Sequence, residues 1–151
     1  MNQALAELAA AAELAQPSQQ ALRLAFGLAC VERIAHLLED PRAVAGLEVL
    51  RRYVAGAADR AALDVAAAEL QAVARSHHGS PSLDGSAHAA VSATYAVANA
   101  LAGRALEAAG YAAYAAVYAY GGYAVSDPSA FAPEYAWQLR TLEQLLSGTD
   151  P

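Results

Sequence analysis

Two long, consecutive stretches of this chain lack charged residues, and that pattern constrains the fold more than any other feature. Neither Gly85–Gly103 nor the segment between Glu107 and Asp127 contains Asp, Glu, Lys or Arg. Segments without charges are buried, in a protein core or in a lipid bilayer. Because alanine, the best helix former, is the commonest residue in both stretches, they predict a buried helical hairpin.

A pair of membrane-spanning helices is the alternative, and the residue types argue against it. Membrane insertion is driven by Leu, Ile, Phe and Val, but the second stretch contains only Val117 and Val125 from this set, and it has glycines at 110, 121 and 122. We therefore expect Ala89–Ala100 and Ala105–Tyr118 to be helices that pack against the second helix of a protein with no membrane span.

The sequence AAGYAAYAAVYAYGGYA, residues 108–124, places five tyrosines among alanines. Tyr111, Tyr114 and Tyr118 are spaced by three and four residues and share one helix face. The alanines would let a neighbouring helix approach closely, and the rings would fill the remaining volume. Tyr120 and Tyr123, beside the glycine pair, are the tyrosines best placed for a contact surface.

The composition and the positions of helix-breaking residues favour an all-α, single-domain compact bundle of six to seven helices. The chain has 151 residues, of which 57% are hydrophobic, enough for one buried core. We expect an N-terminal helix and linker over residues 1–17, a core bundle over 18–147 and a tail over 148–151. The first three predicted helices cover about 3–15, 19–39 and 41–56, and a fourth follows Asp59 and ends at the loop SHHGSPSLDG. A fifth runs from Ser86 to about Gly103, a sixth covers about 104–120, and a last one, which includes Tyr135 to Leu146, stops before Gly148.

Local signals mark several of these helices. Ser18, Asp40 and Asp59 are the predicted N-caps of the second, third and fourth helices, and Pro41 follows Asp40 at the first helical position. The second helix is apolar on two faces, which predicts a central position. The last helix has an apolar stripe of Tyr135, Leu139, Leu142 and Leu146.

Charge and cysteine content restrict the environment and the ligand. The net charge is −6 and every basic residue is Arg, which argues against nucleic acid and favours an electropositive protein partner. Cys30, the single thiol, has no partner for an internal disulfide, and the N-terminus lacks the basic region of a secretion signal. We therefore expect a cytoplasmic protein.

Catalytic motifs are missing from the sequence. It contains no G-x-S-x-G, no H-E-x-x-H and no phosphate-binding loop with Lys, so we expect neither an enzyme nor a cofactor. The best metal candidates are His77, His78, Asp84 and His88, in and just after one loop. Adjacent histidines in a Gly/Pro/Ser loop are more often simply exposed, so the favoured interpretation has no metal.

In their order along the chain, several segments resemble the Imm-5-like immunity proteins of bacterial polymorphic-toxin systems. The similar segments are ALRLAFGLACVERIAHLLE, DPRAVAGLEVLRRYVAG, the Ala-rich middle helices and EYAWQLRTLEQLL. The likeness spans about residues 21–146. This chain departs from the family pattern in having Tyr53 where Trp is expected and in its Tyr-rich hairpin, which leaves open which toxin it would bind.

The resemblance implies a non-enzymatic antitoxin that binds and neutralises a cognate toxin in the cytoplasm of the producing cell. Five residues near the start of the last helix combine aromatic rings with carboxylates and are the predicted partner-binding set: Tyr120, Tyr123, Asp127, Glu134 and Trp137. The alternative, from another functional class, is a helical small-molecule or metal-binding protein that uses the Tyr-rich hairpin and the His loop.

Overall fold

A computed structural model describes residues 1–77 and 86–148, and its secondary structure there is entirely helical. These two ranges contain seven α-helices: α1 (Gln3–Ala11), α2 (Gln20–Arg33), α3 (Pro41–Val54), α4 (Arg60–Ser76), α5 (Ser86–Leu101), α6 (Ala105–Tyr120) and α7 (Ala132–Leu146). Short 3-10 helices cover Pro17–Gln19, Ala35–Leu37, Gly122–Ser126 and Pro128–Phe131. The predicted all-α fold is confirmed.

Two of the three predicted N-caps are confirmed. The Asp40 carboxylate accepts from the backbone N–H of Arg42 at 2.8 Å, and that of Asp59 accepts from the N–H of Ala62 at 2.8 Å. The Ser18 prediction is wrong, because Ser18 lies inside the 3-10 helix that precedes α2. Pro17 suits the first position of a helical turn, so the chain becomes helical before Ser18 could cap it.

Among the described residues, positive backbone φ angles follow five of the helices, and one of the five residues is not glycine. One of the glycines is Gly121, which follows α6. Gly56, Gly103 and Gly148 have φ of 79°, 76° and 79°, whereas Glu13, after α1, has φ of 53°. The N–H of Leu14 donates to the carbonyl of Ala9 at 2.9 Å, the bond of a Schellman motif with Glu13 at the left-handed position. A side chain there costs about 1 kcal/mol relative to glycine.

Helix α2 is central, as predicted, and contacts α3, α5, α6 and α7. It approaches the α5–α6 hairpin closely at Gly27, where an added Cβ would lie 3.2 Å from the Cβ of Ala100. Helix α2 is shorter than predicted: it ends at Arg33, and the 3-10 turn Ala35–Leu37 follows. The predicted packing of the hairpin against the second helix is confirmed.

The tyrosines of α6 lie on its outer face, so the prediction that they fill volume between helices is wrong in part. Tyr111 and Tyr114 are 39% and 44% exposed. The inner face of α6 is built from buried alanines and Val117. The Tyr111 ring stacks on that of Tyr95 from α5, with centroids 5.1 Å apart. Alanine thus fills the interior, and the rings cover the hairpin from outside.

The buried face of α7 also differs from the predicted stripe. Leu142 is fully buried, but Leu146 is 37% exposed. The remaining buried residues of this helix are polar: Glu134, Gln138 and Thr141. The stripe was misplaced because a count of apolar residues does not recognise polar groups that find partners inside the fold.

Within the described part of the chain, no helix is both long and apolar enough to cross a membrane.

Candidate partner-binding site

The chain reverses direction between α6 and α7, and this turn positions most of the predicted partner-binding residues. Gly121 follows α6 with φ of 143°, and a Cβ there would lie 2.7 Å from the Tyr123 ring. The backbone angle favours glycine here, and a side chain would also push the exposed Tyr123 ring aside. The rings of Tyr120 and Tyr123, on either side of it, are 75% and 81% exposed.

A small hydrophobic cluster, separate from the main core, holds this segment in place. Ala124 and Phe131, from the two 3-10 helices, are buried against Ala113 and Val117 of α6. The Phe131 ring also meets the Tyr114 ring edge to face, with centroids 5.2 Å apart. These contacts give the exposed tyrosines a fixed support.

Asp127 is fixed by local hydrogen bonds. Its carboxylate caps the second 3-10 helix by accepting from the Ser129 hydroxyl at 2.8 Å and from the Ser129 N–H at 3.0 Å. These bonds, the hydroxyl bond first, lower the pKa of Asp127 below its usual value. The side chain is therefore a fixed negative charge at neutral pH.

Glu134 lies in the first turn of α7 and is tied to the end of α2. Its Oε2 accepts from Arg33 Nε at 2.7 Å, and Arg33 Nη2 lies 3.5 Å from Oε1. The Arg33 guanidinium also lies over the Trp137 ring, 4.5 Å from its centroid. Ring, guanidinium and carboxylate therefore form a short stack across α2 and α7.

Four of the five predicted residues line one cavity of about 330 Å³: Tyr120, Tyr123, Asp127 and Glu134. Trp137 is not part of that lining, because its half-buried ring carries Arg33 instead. A second cavity of about 310 Å³ shares Tyr120 and Glu134 with the first and adds Arg33 and His36. We call these two cavities, with Trp137, the aromatic–acidic surface. Arg33 and His36 were not among the predicted binding residues.

Cys30 lies fully buried in α2. Burial raises the pKa of this thiol, and the nearby negative charge of Glu134 raises it further. A protonated, enclosed thiol is a poor nucleophile. Cys30 is therefore a core residue.

The predicted metal candidates fall only partly within the described residues. His78 and Asp84 lie outside them. The exposed His88 ring stacks on Tyr118, with centroids 5.1 Å apart. Residues 1–77 and 86–148 contain no group of three or more His, Cys, Asp or Glu side chains that could hold a metal ion.

A larger cavity of about 650 Å³ lies elsewhere, between α1 and the start of α6. Its walls are mostly alanine and leucine, and it includes Glu13, Arg23, Arg104 and Glu107. The Arg23 guanidinium donates to the carbonyls of Leu14 and Gln16 at 2.6 and 2.7 Å. None of the predicted partner-binding residues lines this cavity.

Comparison with known proteins gives one match. The family model described as "Imm-5 like putative immunity protein" matches residues 12–145. No curated protein and no solved structure matches the chain.

Proposed function

Because the chain belongs to the Imm-5-like immunity protein family, we propose that it binds a cognate bacterial toxin and neutralises it stoichiometrically, without catalysis. The observation that carries this proposal is the family match over residues 12–145, which includes α2 to α6 and nearly all of α7. Family membership implies a toxin partner in general terms. We infer that the inhibitor acts in the cytoplasm of the cell that makes the toxin.

We propose the aromatic–acidic surface as the toxin-binding face. Tyr120 and Tyr123 present large rings to solvent, and such rings are common anchors in protein interfaces. Asp127 and Glu134 lie beside them. A chain of net charge −6 that presents carboxylates next to anchoring rings suits a toxin with a basic patch, which the carboxylates would steer during association.

The test of inhibition begins with the neighbouring genes, among which we expect one that encodes a toxin domain; that domain is then used as the partner. We expect co-expression to restore growth to cells that make the toxin, and the purified pair to form a complex of fixed stoichiometry. An active toxin that neither binds the protein nor is inhibited by it would overturn the proposal.

The binding face is tested with four variants, for which the affinity for the toxin and the association rate are measured. Tyr123→Ala and Trp137→Ala should each weaken toxin binding by more than about 1 kcal/mol. Asp127→Asn should mainly slow association, and the difference should shrink as salt is added. Tyr111→Ala, which truncates an exposed tyrosine outside the aromatic–acidic surface, is the matched control and should bind normally. Unchanged binding in the first three variants, with their folds verified by circular dichroism, would place the toxin elsewhere.

A further inference from the structure

The 330 Å³ cavity has a lining of one charge sign. It is formed where the end of α6, the two 3-10 helices and the start of α7 meet. The lining contains two carboxylates and no basic residue: Tyr120, Tyr123, Ala124, Asp127, Ala130, Pro133 and Glu134. We call this cavity the acidic slot. Its charge complements a cation, and its rings and alanines complement an apolar stem.

Glu134 has unused capacity to accept hydrogen bonds in the slot. One carboxylate oxygen, Oε2, receives the short bond from Arg33, whereas Oε1 has only the 3.5 Å contact. A carboxylate has about four lone-pair sites, so a second donor can be accommodated. The Glu134 residue is only 8% exposed, and its charge is already paired with that of Arg33, so the net negative charge of the slot comes from Asp127.

The protein already uses the same combination of groups once, internally. Arg33 lies between the Trp137 ring and the Glu134 carboxylate. The acidic slot is lined by Tyr120 and Tyr123 together with the same Glu134. A guanidinium is planar, stacks on rings and pairs with a carboxylate through two donors, which an ammonium does not do.

We propose that the acidic slot receives an arginine side chain of the toxin, stacked on Tyr120 or Tyr123 and paired with Glu134 and Asp127. This inference deepens the proposed function and rests on it: it assigns the chemistry of the toxin group that the aromatic–acidic surface recognises. A lysine side chain would bind more weakly, because it lacks the planar, two-donor geometry.

The first experiment needs no toxin. Amide chemical shifts of the ¹⁵N-labelled protein are followed while capped Gly-Arg-Gly is added, with capped Gly-Lys-Gly and the neutral isostere Gly-citrulline-Gly as comparison peptides. We expect saturable shifts at Tyr120, Tyr123, Asp127 and Glu134, largest for the arginine peptide. Binding should be about tenfold weaker when Tyr120 and Tyr123 are both changed to alanine. An equal response to the citrulline peptide, or an unaltered response in that double variant, would overturn the slot.

The second experiment uses the toxin and a double-mutant cycle. Each surface arginine of the toxin is changed to alanine and measured against wild type, Asp127→Asn and the control Glu107→Gln, which alters an exposed carboxylate outside the slot. For one toxin arginine, the loss of affinity on its change to alanine should be at least about fivefold smaller with Asp127→Asn than with the wild-type protein. With the Glu107→Gln control, that loss should be the same as with wild type. If the toxin binds tightly but no arginine shows this coupling, the slot is overturned and the proposed inhibition stands. If the toxin does not bind but the arginine peptide does, only the assignment of the slot to the toxin is overturned.

Discussion

The α5–α6 hairpin and the terminal pair α1 and α7 solve the same packing problem with different residues. The hairpin buries alanines and places its rings outside. Helix α7 buries Glu134, Gln138 and Thr141. It is tied to its neighbours by Gln138, which donates to the carbonyl of Ala109 at 2.8 Å and accepts from Asn2 at 3.3 Å. The hairpin depends on close backbone approach, whereas the terminal helices depend on specific polar contacts.

The largest effect should come from enlarging an alanine of the hairpin. Ala100→Leu adds volume where Ala100 is fully buried against Gly27, so α2 and α5 must separate. We expect a loss of about 3 kcal/mol in the free energy of unfolding, measured by urea denaturation. Ala102→Leu, at an exposed position just beyond α5, is the control and should cost far less. A tolerated leucine at position 100 would show that the hairpin contact is not tight.

Replacing the polar tie of α7 should have a smaller effect. Gln138→Leu keeps a side chain of similar size but removes the bonds to Ala109 and Asn2, and we expect a loss of about 1 to 2 kcal/mol. Gln144→Leu, on the exposed face of the same helix, is the control. A cycle with Asn2→Ala separates the contribution of that pair. If Gln138→Leu leaves the free energy of unfolding unchanged or raises it, the polar contacts do not stabilise α7. The proposed difference between α7 and the hairpin would then be wrong.

The end of α1 should become more stable when its left-handed residue is changed. Glu13→Gly removes a side chain from a backbone with φ of 53°, and we expect a gain of up to about 1 kcal/mol. Gly103→Ala makes the opposite change at the end of α5, where an added Cβ has no neighbour within 4 Å, so its cost reports the backbone alone. Thermal melts of the two variants should shift in opposite directions; equal shifts would show that φ does not govern these helix ends.

The smallest effect should come from the outer rings of the hairpin. Tyr95 and Tyr111 stack at 5.1 Å, and a double-mutant cycle with alanine at each position should give a coupling of about 0.5 to 1 kcal/mol. A coupling as large as the Ala100→Leu effect would mean that the rings, rather than the alanines, hold α5 and α6 together.

The sequence was sufficient to predict the hairpin and insufficient for the buried face of α7, for a physical reason. Two adjacent alanine-rich stretches without charged residues are compatible with few folds. The buried polar residues of α7 depend on partners that are remote in sequence: Glu134 pairs with Arg33, 101 positions away, and Gln138 with Asn2, 136 positions away. Helical periodicity has no information about such partners.

The same distinction applies to the aromatic–acidic surface. Tyr120, Tyr123, Asp127 and Glu134 lie within fifteen consecutive residues, so their composition marked them as a group, and the fold places them around one cavity. Arg33 was missed as a member because only the packing of α2 on α7 brings it there. The contact of Trp137 with Arg33 likewise has no sequence signal.

Cys30 gives this protein a built-in reporter of core opening. It is the chain's one thiol, it has no solvent exposure, and its raised pKa keeps it protonated. A thiol-specific reagent therefore modifies the chain only in conformations where α2 has separated from its neighbours. When reclosing is faster than modification, the ratio of the observed rate to the rate in the unfolded chain gives the population of the open form. That population can be followed as toxin is added, with no engineered label in the chain.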